Sequence, residues 1–293
     1  MTSPKTTALR PLKGTRIVSL ALNLPGPAAL MRCQHMGARC TKFEPPSGDP
    51  MRHYNPAAFA ALHAGIGIRT ADLKSQAGQN ALHQALGKAD VLMTSFRPSA
   101  LGKLGLGFKA LHQLYPQLCQ VAIVGGRGAR VEEPGHDLTY LAEQGLVTGL
   151  DLPPTLYADM GGSIMASEAV LAVLMQRARK STGVFVEVAL SEAAAYLALP
   201  RSWGLTLQGA AVGGGHAGYQ IYACKDGCVA VAALEPHFAA RLCAAAGVAL
   251  GRPQDMFEAA TQQQLGKYFK RQSCAALTAL AAAHDIPLHA LAG

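Results

Sequence analysis

Short apolar runs alternate with helical patterns through the first two thirds of the chain. Four runs predict buried strands: "RIVSLAL" (16–22), "ARCTKFE" (38–44), "ADVLMTS" (89–95) and "LCQVAIVG" (118–125). The segments between them, such as "AALMRCQHMG" and "GQNALHQALGK", space their apolar residues as a helix does. Strands that alternate with helices predict an α/β fold, a Rossmann-like parallel sheet with helices on both faces.

Ligands of such sheets bind beyond the carboxyl ends of the strands. The loops that follow the four predicted strands are therefore the expected walls of a site. They cover residues 23–28, 44–52, 96–107 and 125–137.

The pattern changes in the last third. A long amphipathic helix is predicted over about 160–180, followed by a strand "VFVEVAL" and a helix from Ser191. The glycine-rich stretch "GAAVGGGHAG" (209–218) interrupts regular structure, and a hairpin "YQIYACKDGCVAVAAL" and Ala-rich helices follow it to the end. We expect a large domain over 1–208 and a smaller α+β domain over 209–293.

Composition and charge narrow the class of protein. Half of the 293 residues are hydrophobic, and the net charge of +8 is spread along the chain without a long basic run. This argues against nucleic-acid binding and fits a polyanionic small ligand, although a merely basic surface explains the charge as well. No 18-residue apolar run and no N-terminal apolar signal region are found, so no membrane partner and a cytoplasmic protein are expected.

The seven cysteines predict neither a disulfide framework nor a metal site. Their number is odd and no CxxC pair is present. Cys224 and Cys228 flank "KDG", which is more typical of a hairpin turn than of half a metal site.

Candidate chemistry begins with "EEPGHDLTYLAEQG" (132–145), where His136 and Asp137 stand between a Pro-Gly turn and a predicted helix. Such a junction can hold reactive side chains. The alternative is structural, with Asp137 as the N-cap and His136 without a role.

A second candidate is "YADMGGSIM" (157–165). Asp159 stands at a predicted helix start, with Gly161 and Gly162 behind it. Open backbone N–H groups there could stabilise an oxyanion, or the carboxylate could only cap the helix. Arg97 and Lys103, after the third predicted strand, lie where phosphates would arrive, or are solvated surface groups.

Taken in order, these motifs resemble the family III CoA-transferases, the group that also contains the α-methylacyl-CoA racemases. The resemblance runs from about Leu12 to the end, through "GARCTKFEPPSGDPMR", "RTADLKS", "KADVLMTSFRPSALGKLGLG", "PGHDLTYLAEQG", "YADMGGSIM" and "TGVFVEVALSEA". It implies that coenzyme A, as part of the substrate and with no prosthetic group, lies across the Rossmann-like domain. The matching contact positions are Lys42, Ala71, Asp72, Leu73, Lys74 and Arg97.

The resemblance also implies two kinds of catalysis. Among the transferases the carboxylate that matches Asp159 attacks the thioester and forms a mixed anhydride. Among the racemases it is one of two bases, with His136 as the other and the enolate oxygen held by N–H groups near Met160 and Gly161. Glu235, in "ALEPHF", would orient the histidine. The "GHD" motif favours a 2-methylacyl-CoA racemase.

Two features keep alternatives open. The loop "VGGGHAG" (212–218) resembles that of the transferases. Members of the family form interlocked homodimers, and relatives run on beyond the point where "HDIPLHALAG" ends this chain. A CoA-transferase and a truncated, non-catalytic CoA-binding homologue are therefore the alternatives to a racemase.

Overall fold

The computed structural model describes residues 9–293, so the N-terminal residues considered for a signal region lie mostly outside it. By its internal contacts the chain divides into two compact units, one ending at Ala198 and one covering Leu199–Gly293. The domain boundary expected after residue 208 lies inside the second unit.

A six-stranded parallel sheet forms the centre of the first unit, in the order β3-β2-β1-β4-β5-β6. The strands are β1 (Arg16–Ser19), β2 (Arg39–Glu44), β3 (Gly67–Thr70), β4 (Val91–Thr94), β5 (Cys119–Val124) and β6 (Phe185–Ala189). This order confirms the Rossmann-like α/β fold. The edge strand β3 was not predicted, because all four of its residues are exposed and give no apolar alternation.

The centre of this sheet is buried on both faces, which is why β4 and β5 are buried along their whole length. In β1, Ile17 packs with Leu30 and Val170 on one face, whereas Val18 packs with Leu82 and its neighbours on the other. The helices are α1 (Pro25–His35), α2 (Met51–Tyr54), α3 (Pro56–Leu62), α4 (Gln76–Leu86), α5 (Pro98–Lys103), α6 (Phe108–Leu114), α7 (Asp137–Glu143), α8 (Tyr157–Lys180) and α9 (Leu190–Leu197).

Helix α8 is the longest of the described helices and packs against α1, α7, α9 and the sheet. By length and composition it could cross a membrane, but residues such as Ala158, Ala166 and Val170 are buried in the core of the first unit. This packing accounts for one side of the helix, whereas Ile164 and Met175 are exposed. It begins at Tyr157, a little before the predicted start, so Asp159 lies in its first turn.

The second unit contains an antiparallel sheet of three strands: β7 (Tyr219–Cys224), β8 (Gly227–Ala232) and β9 (Leu288–Ala292). Its helices are α10 (Leu199–Ser202), α11 (Pro236–Ala246), α12 (Ala259–Phe269) and α13 (Cys274–His284). The predicted hairpin is confirmed by the pairing of β7 with β8. The expectation of helices to the end was wrong, because the last segment adds β9 to the other side of β8.

Candidate active site

A cavity of about 690 Å³ opens at the carboxyl ends of β1, β4 and β5. The sheet order reverses between β1 and β4, which is the switch point where ligands bind in such folds. Residues from all four loops that the sequence marked line this cavity. They include Asn23, Met51, Phe96, Arg97, Gly125 and His136.

Asp159 lies on the wall of this cavity, in the first turn of α8. Burial, and then the negative charge of Asp137, raise the pKa of its carboxyl group to about 6, while His136 acts in the opposite direction. A carboxyl group with a pKa close to neutrality can exchange protons in either direction at physiological pH.

Asp137 holds the start of α8 rather than the start of its own helix. Its carboxylate is buried, and Oδ1 accepts a hydrogen bond from the backbone N–H of Asp159 at 3.0 Å. Helix α7 begins at Asp137, so His136 takes the N-cap position and the expected N-cap role of Asp137 was wrong. The bond joins two helices and has no local signal in the sequence.

His136 is exposed, and its side chain lines the same cavity as Asp159. The backbone around it is held by Thr139, whose Oγ1 accepts from the His136 N–H at 3.1 Å and donates to the His136 carbonyl at 2.8 Å. The Pro-Gly turn and the helix start therefore present the imidazole at the edge of the cavity.

Tyr140 is a wall residue that was not singled out from the sequence. It is buried, one turn after His136, and lines the cavity. Gly125 and Gly135 stand against its hydroxyl group, because a Cβ on either would lie 2.4 or 2.5 Å from Oη. These glycines leave the room that the tyrosine ring needs.

The glycines of "ADMGGS" serve packing rather than an open oxyanion site. The Met160 N–H donates to the Leu156 carbonyl at 3.0 Å, so the expectation that it is free for an enolate oxygen was wrong. A Cβ on Gly162 would lie 2.3 Å from Leu190 Cδ2. Only glycine therefore allows α9 to approach α8 this closely.

Lys42, expected to contact coenzyme A, is fully buried. Its ammonium group bonds the Asp49 carboxylate, lies 2.9 Å from His63 Nε2 and 3.3 Å from Glu44 Oε1. Asp49 in turn accepts the N–H of Asn23 at 3.1 Å, and Asn23 lines the cavity. Contact with a ligand stays a prediction, and the partners of Lys42 in the structure are intramolecular.

The remaining predicted contacts are divided between the cavity and its surroundings. Arg97 lines the cavity and is exposed at the start of α5. The segment that follows β3 lies on the same edge of the sheet but does not line the cavity. It contains Ala71, Asp72, Leu73 and Lys74. Glu235 is exposed in the second unit, directly before α11, and its orienting role stays a prediction.

A second cavity, of about 430 Å³, carries more of the positive charge. It is lined by Arg16, Arg39, Arg69 and Lys88, none of which forms an ion pair within residues 9–293. Among the described residues, the lining of the Asp159 cavity contains one basic side chain of the lysine or arginine type, that of Arg97. The net charge by itself therefore does not identify the candidate active site.

Comparison with known proteins accounts for the sequence motifs. The family model for CoA-transferase family III matches residues 12–292. A probable fatty acyl-CoA transferase of Mycobacterium tuberculosis is 30% identical over 209 residues, covering 65% of this chain and 53% of that protein. The alpha-methylacyl-CoA racemase of Homo sapiens is 30% identical over 247 residues, covering 78% of this chain and 62% of the racemase.

A transferase is also among the similar proteins. The succinyl-CoA:glutarate CoA-transferase of Mus musculus is 26% identical over 255 residues, covering 77% of this chain and 57% of that protein. The similar proteins therefore include both a racemase and a CoA-transferase. This chain thus spans between half and two thirds of the length of these relatives. The crystal structure of the Mycobacterium tuberculosis protein superposes with a TM-score of 0.82 at 25% identity, over 96% of this chain and 84% of that one. The resemblance seen in the motifs is confirmed, and the chain belongs to CoA-transferase family III.

Proposed function

We propose that the chain acts on 2-methylacyl-CoA thioesters and moves the α-proton from one face of the substrate to the other. His136 and Asp159 are the two bases. The observation that carries the proposal is that both side chains line one cavity at the switch point of the sheet. A proton must leave one side of the α-carbon and another must arrive from the opposite side, which needs two such groups.

The environment of Asp159 suits this role. Its pKa of about 6 makes the carboxylate a stronger base than an ordinary aspartate, yet leaves it largely ionised at neutral pH. The positive end of the α8 dipole favours the negative charge that develops on the thioester oxygen nearby. Arg97 is the proposed contact for a phosphate of coenzyme A. Coenzyme A arrives as part of the substrate.

A CoA-transferase is the second candidate, favoured by the transferases among the similar proteins. In that reaction the Asp159 carboxylate attacks the thioester carbonyl, forms an acyl anhydride and releases the thiolate of coenzyme A. A carboxylate of raised pKa is also a better nucleophile, so the environment of Asp159 serves this chemistry as well. His136 has no required part in it.

One set of assays separates the candidates. The chain is incubated with a 2-methylacyl-CoA in heavy water and α-deuterium is measured by mass spectrometry. A second sample is treated with hydroxylamine to trap an acyl-enzyme. The proposal expects deuterium exchange that is lost in both His136→Gln and Asp159→Asn. His284→Gln, an exposed histidine at the end of α13, is the matched control and keeps exchange.

Trapping that survives in His136→Gln and is lost in Asp159→Asn, without exchange, would assign the transferase reaction. Coenzyme A binding by calorimetry with neither reaction would assign a non-catalytic binding protein. The homodimer expected from the resemblance, and the cytoplasmic location expected from the sequence pattern, stay predictions.

A further inference from the structure

Three potential metal ligands converge in the second unit, within residues 199–293. The Sγ atoms of Cys224 and Cys274 and a carboxylate oxygen of Asp226 all lie within 4.8 Å of one another. The two Sγ atoms are 3.5 Å apart, and Cys224 Sγ lies 3.9 Å from Asp226 Oδ1. No motif in the sequence marks this group, because Cys274 stands far along the chain from the hairpin.

The fold builds the group from a hairpin tip and a helix start. Cys224 ends β7 and Asp226 lies in the turn that leads to β8. Cys274 is the first residue of α13, where the preceding Ser273 caps the helix by accepting the Ala276 N–H. The Cys274 N–H donates to Asp226 Oδ1 at 2.7 Å, so the backbone fixes the carboxylate beside both thiols.

No cationic side chain of the described residues pairs with this group. Asp226 forms no ion pair with any lysine, arginine or histidine of the described residues. The cluster is also reachable from solvent, because Asp226 is exposed and Cys274 is partly exposed.

We propose that Cys224, Asp226 and Cys274 form a binding site for a thiophilic divalent cation of the Zn²⁺ class. Two thiolates and one carboxylate are ligands that this class prefers, and the fourth position is left to solvent. Each cation that binds displaces the protons of the two thiols, so the affinity rises with pH. The site is independent of the activity proposed for the first unit.

A bound cation would join three segments of the second unit. Besides the hairpin tip and α13, the end of β9 is attached here, because the Gly293 N–H donates to the Asp226 carbonyl at 3.1 Å. A ligand that binds only the folded state stabilises it by mass action. We therefore expect the cation to stabilise the second unit against unfolding.

The test uses the full chain, reduced and freed of metal with a chelator, and Cd²⁺ as the probe. Cadmium thiolates give an ultraviolet charge-transfer band, and Zn²⁺ is then added to compete. The proposal expects the band to saturate at one Cd²⁺ per chain, with loss of the band in Cys224→Ser and Cys274→Ser and at least tenfold weaker binding in Asp226→Asn.

Cys228→Ser is the matched control, because Cys228 lies on the same hairpin but pairs with Ala223 outside the cluster. The Cys228→Ser variant is expected to bind Cd²⁺ with the affinity of the unmodified chain. Circular dichroism verifies that each variant is folded. The absence of a band, or an equal band in the Cys224 and Cys274 variants, overturns the proposal. So does a disulfide between these two residues that resists mild reduction, seen as the loss of two free thiols and two hydrogens in mass.

Discussion

The Asp137 carboxylate accepts a hydrogen bond from the backbone N–H of Asp159 at 3.0 Å, so one side chain ties the start of α7 to the start of α8. The same carboxylate is the second cause, after burial, of the raised pKa of Asp159. Because His136 precedes Asp137, this contact also brings the imidazole to the cavity wall on which Asp159 lies. The positions of the two candidate bases and the acidity of Asp159 are thus set together.

Asp137→Asn separates these two effects. The amide keeps an oxygen that can accept the Asp159 N–H, but it removes the negative charge. The pKa of Asp159 is expected to fall by about one unit, because a nearby like charge is lost. Carbon NMR of labelled aspartate carboxyl groups measures it directly, with Asp159→Asn identifying the signal. An unchanged pKa in Asp137→Asn would show that burial alone sets the acidity of this group.

Asp159 also makes stability depend on pH. Its pKa of about 6 is above the ordinary value of 3.8, so the folded chain binds this proton more tightly than the unfolded chain. The stabilisation is complete below pH 4 and is lost as the pH rises through about 6. Asp159→Asn is therefore expected to exceed the unmodified chain in stability at pH 8 by about 2 to 3 kcal/mol, with a smaller difference at pH 5.

Urea unfolding followed by circular dichroism at both pH values measures this difference. Asp151→Asn, an exposed aspartate in the loop before α8, is the control and should show little change at either pH. A gain for Asp159→Asn that is equal at pH 5 and pH 8 would contradict the assigned pKa.

The sequence predicts those elements whose burial it encodes locally. Strands β1, β4 and β5 carry mostly apolar side chains because the centre of the sheet is covered on both faces. Asp159 and His136 were found because each stands next to a predicted helix start. The pattern fails for β9, whose partner β8 lies far away along the chain. Pairing of that kind depends on tertiary contacts.

Buried charged groups are even harder to predict from the local sequence than strand pairing. A lysine is ordinarily exposed, so nothing near Lys42 in the sequence predicts its full burial. Its burial depends on Asp49 and His63, which the fold brings to its ammonium group. The contact of Asp137 with Asp159 is likewise a relation between two helices that the local sequence does not contain.

Lys42→Met tests whether this lysine supports the fold or contacts a ligand. The methionine is of similar length, but it leaves the buried Asp49 carboxylate without its cation. Breaking a buried ion pair costs about 3 to 5 kcal/mol, so a loss of this size is expected in the free energy of unfolding. Lys74→Met, at an exposed position after β3, is the control and should change stability by less than about 0.5 kcal/mol. Weaker coenzyme A binding in Lys42→Met at unchanged stability would instead favour a ligand contact.

The two glycines beside Tyr140 are expected to respond differently to alanine. At Gly125 the added Cβ would lie 2.4 Å from the tyrosine Oη but 3.4 Å from Cζ, whereas at Gly135 it would lie 2.6 Å from Cε1 and 2.7 Å from Cζ. Overpacking of this kind costs about 1 to 3 kcal/mol, so both single variants lose stability in urea unfolding. Tyr140→Phe removes only the hydroxyl group, and it should therefore restore most of the loss in Gly125→Ala and little of it in Gly135→Ala. Equal rescue of both variants would mean that the ring moves freely, and Tyr140 would then not be a fixed wall of the cavity.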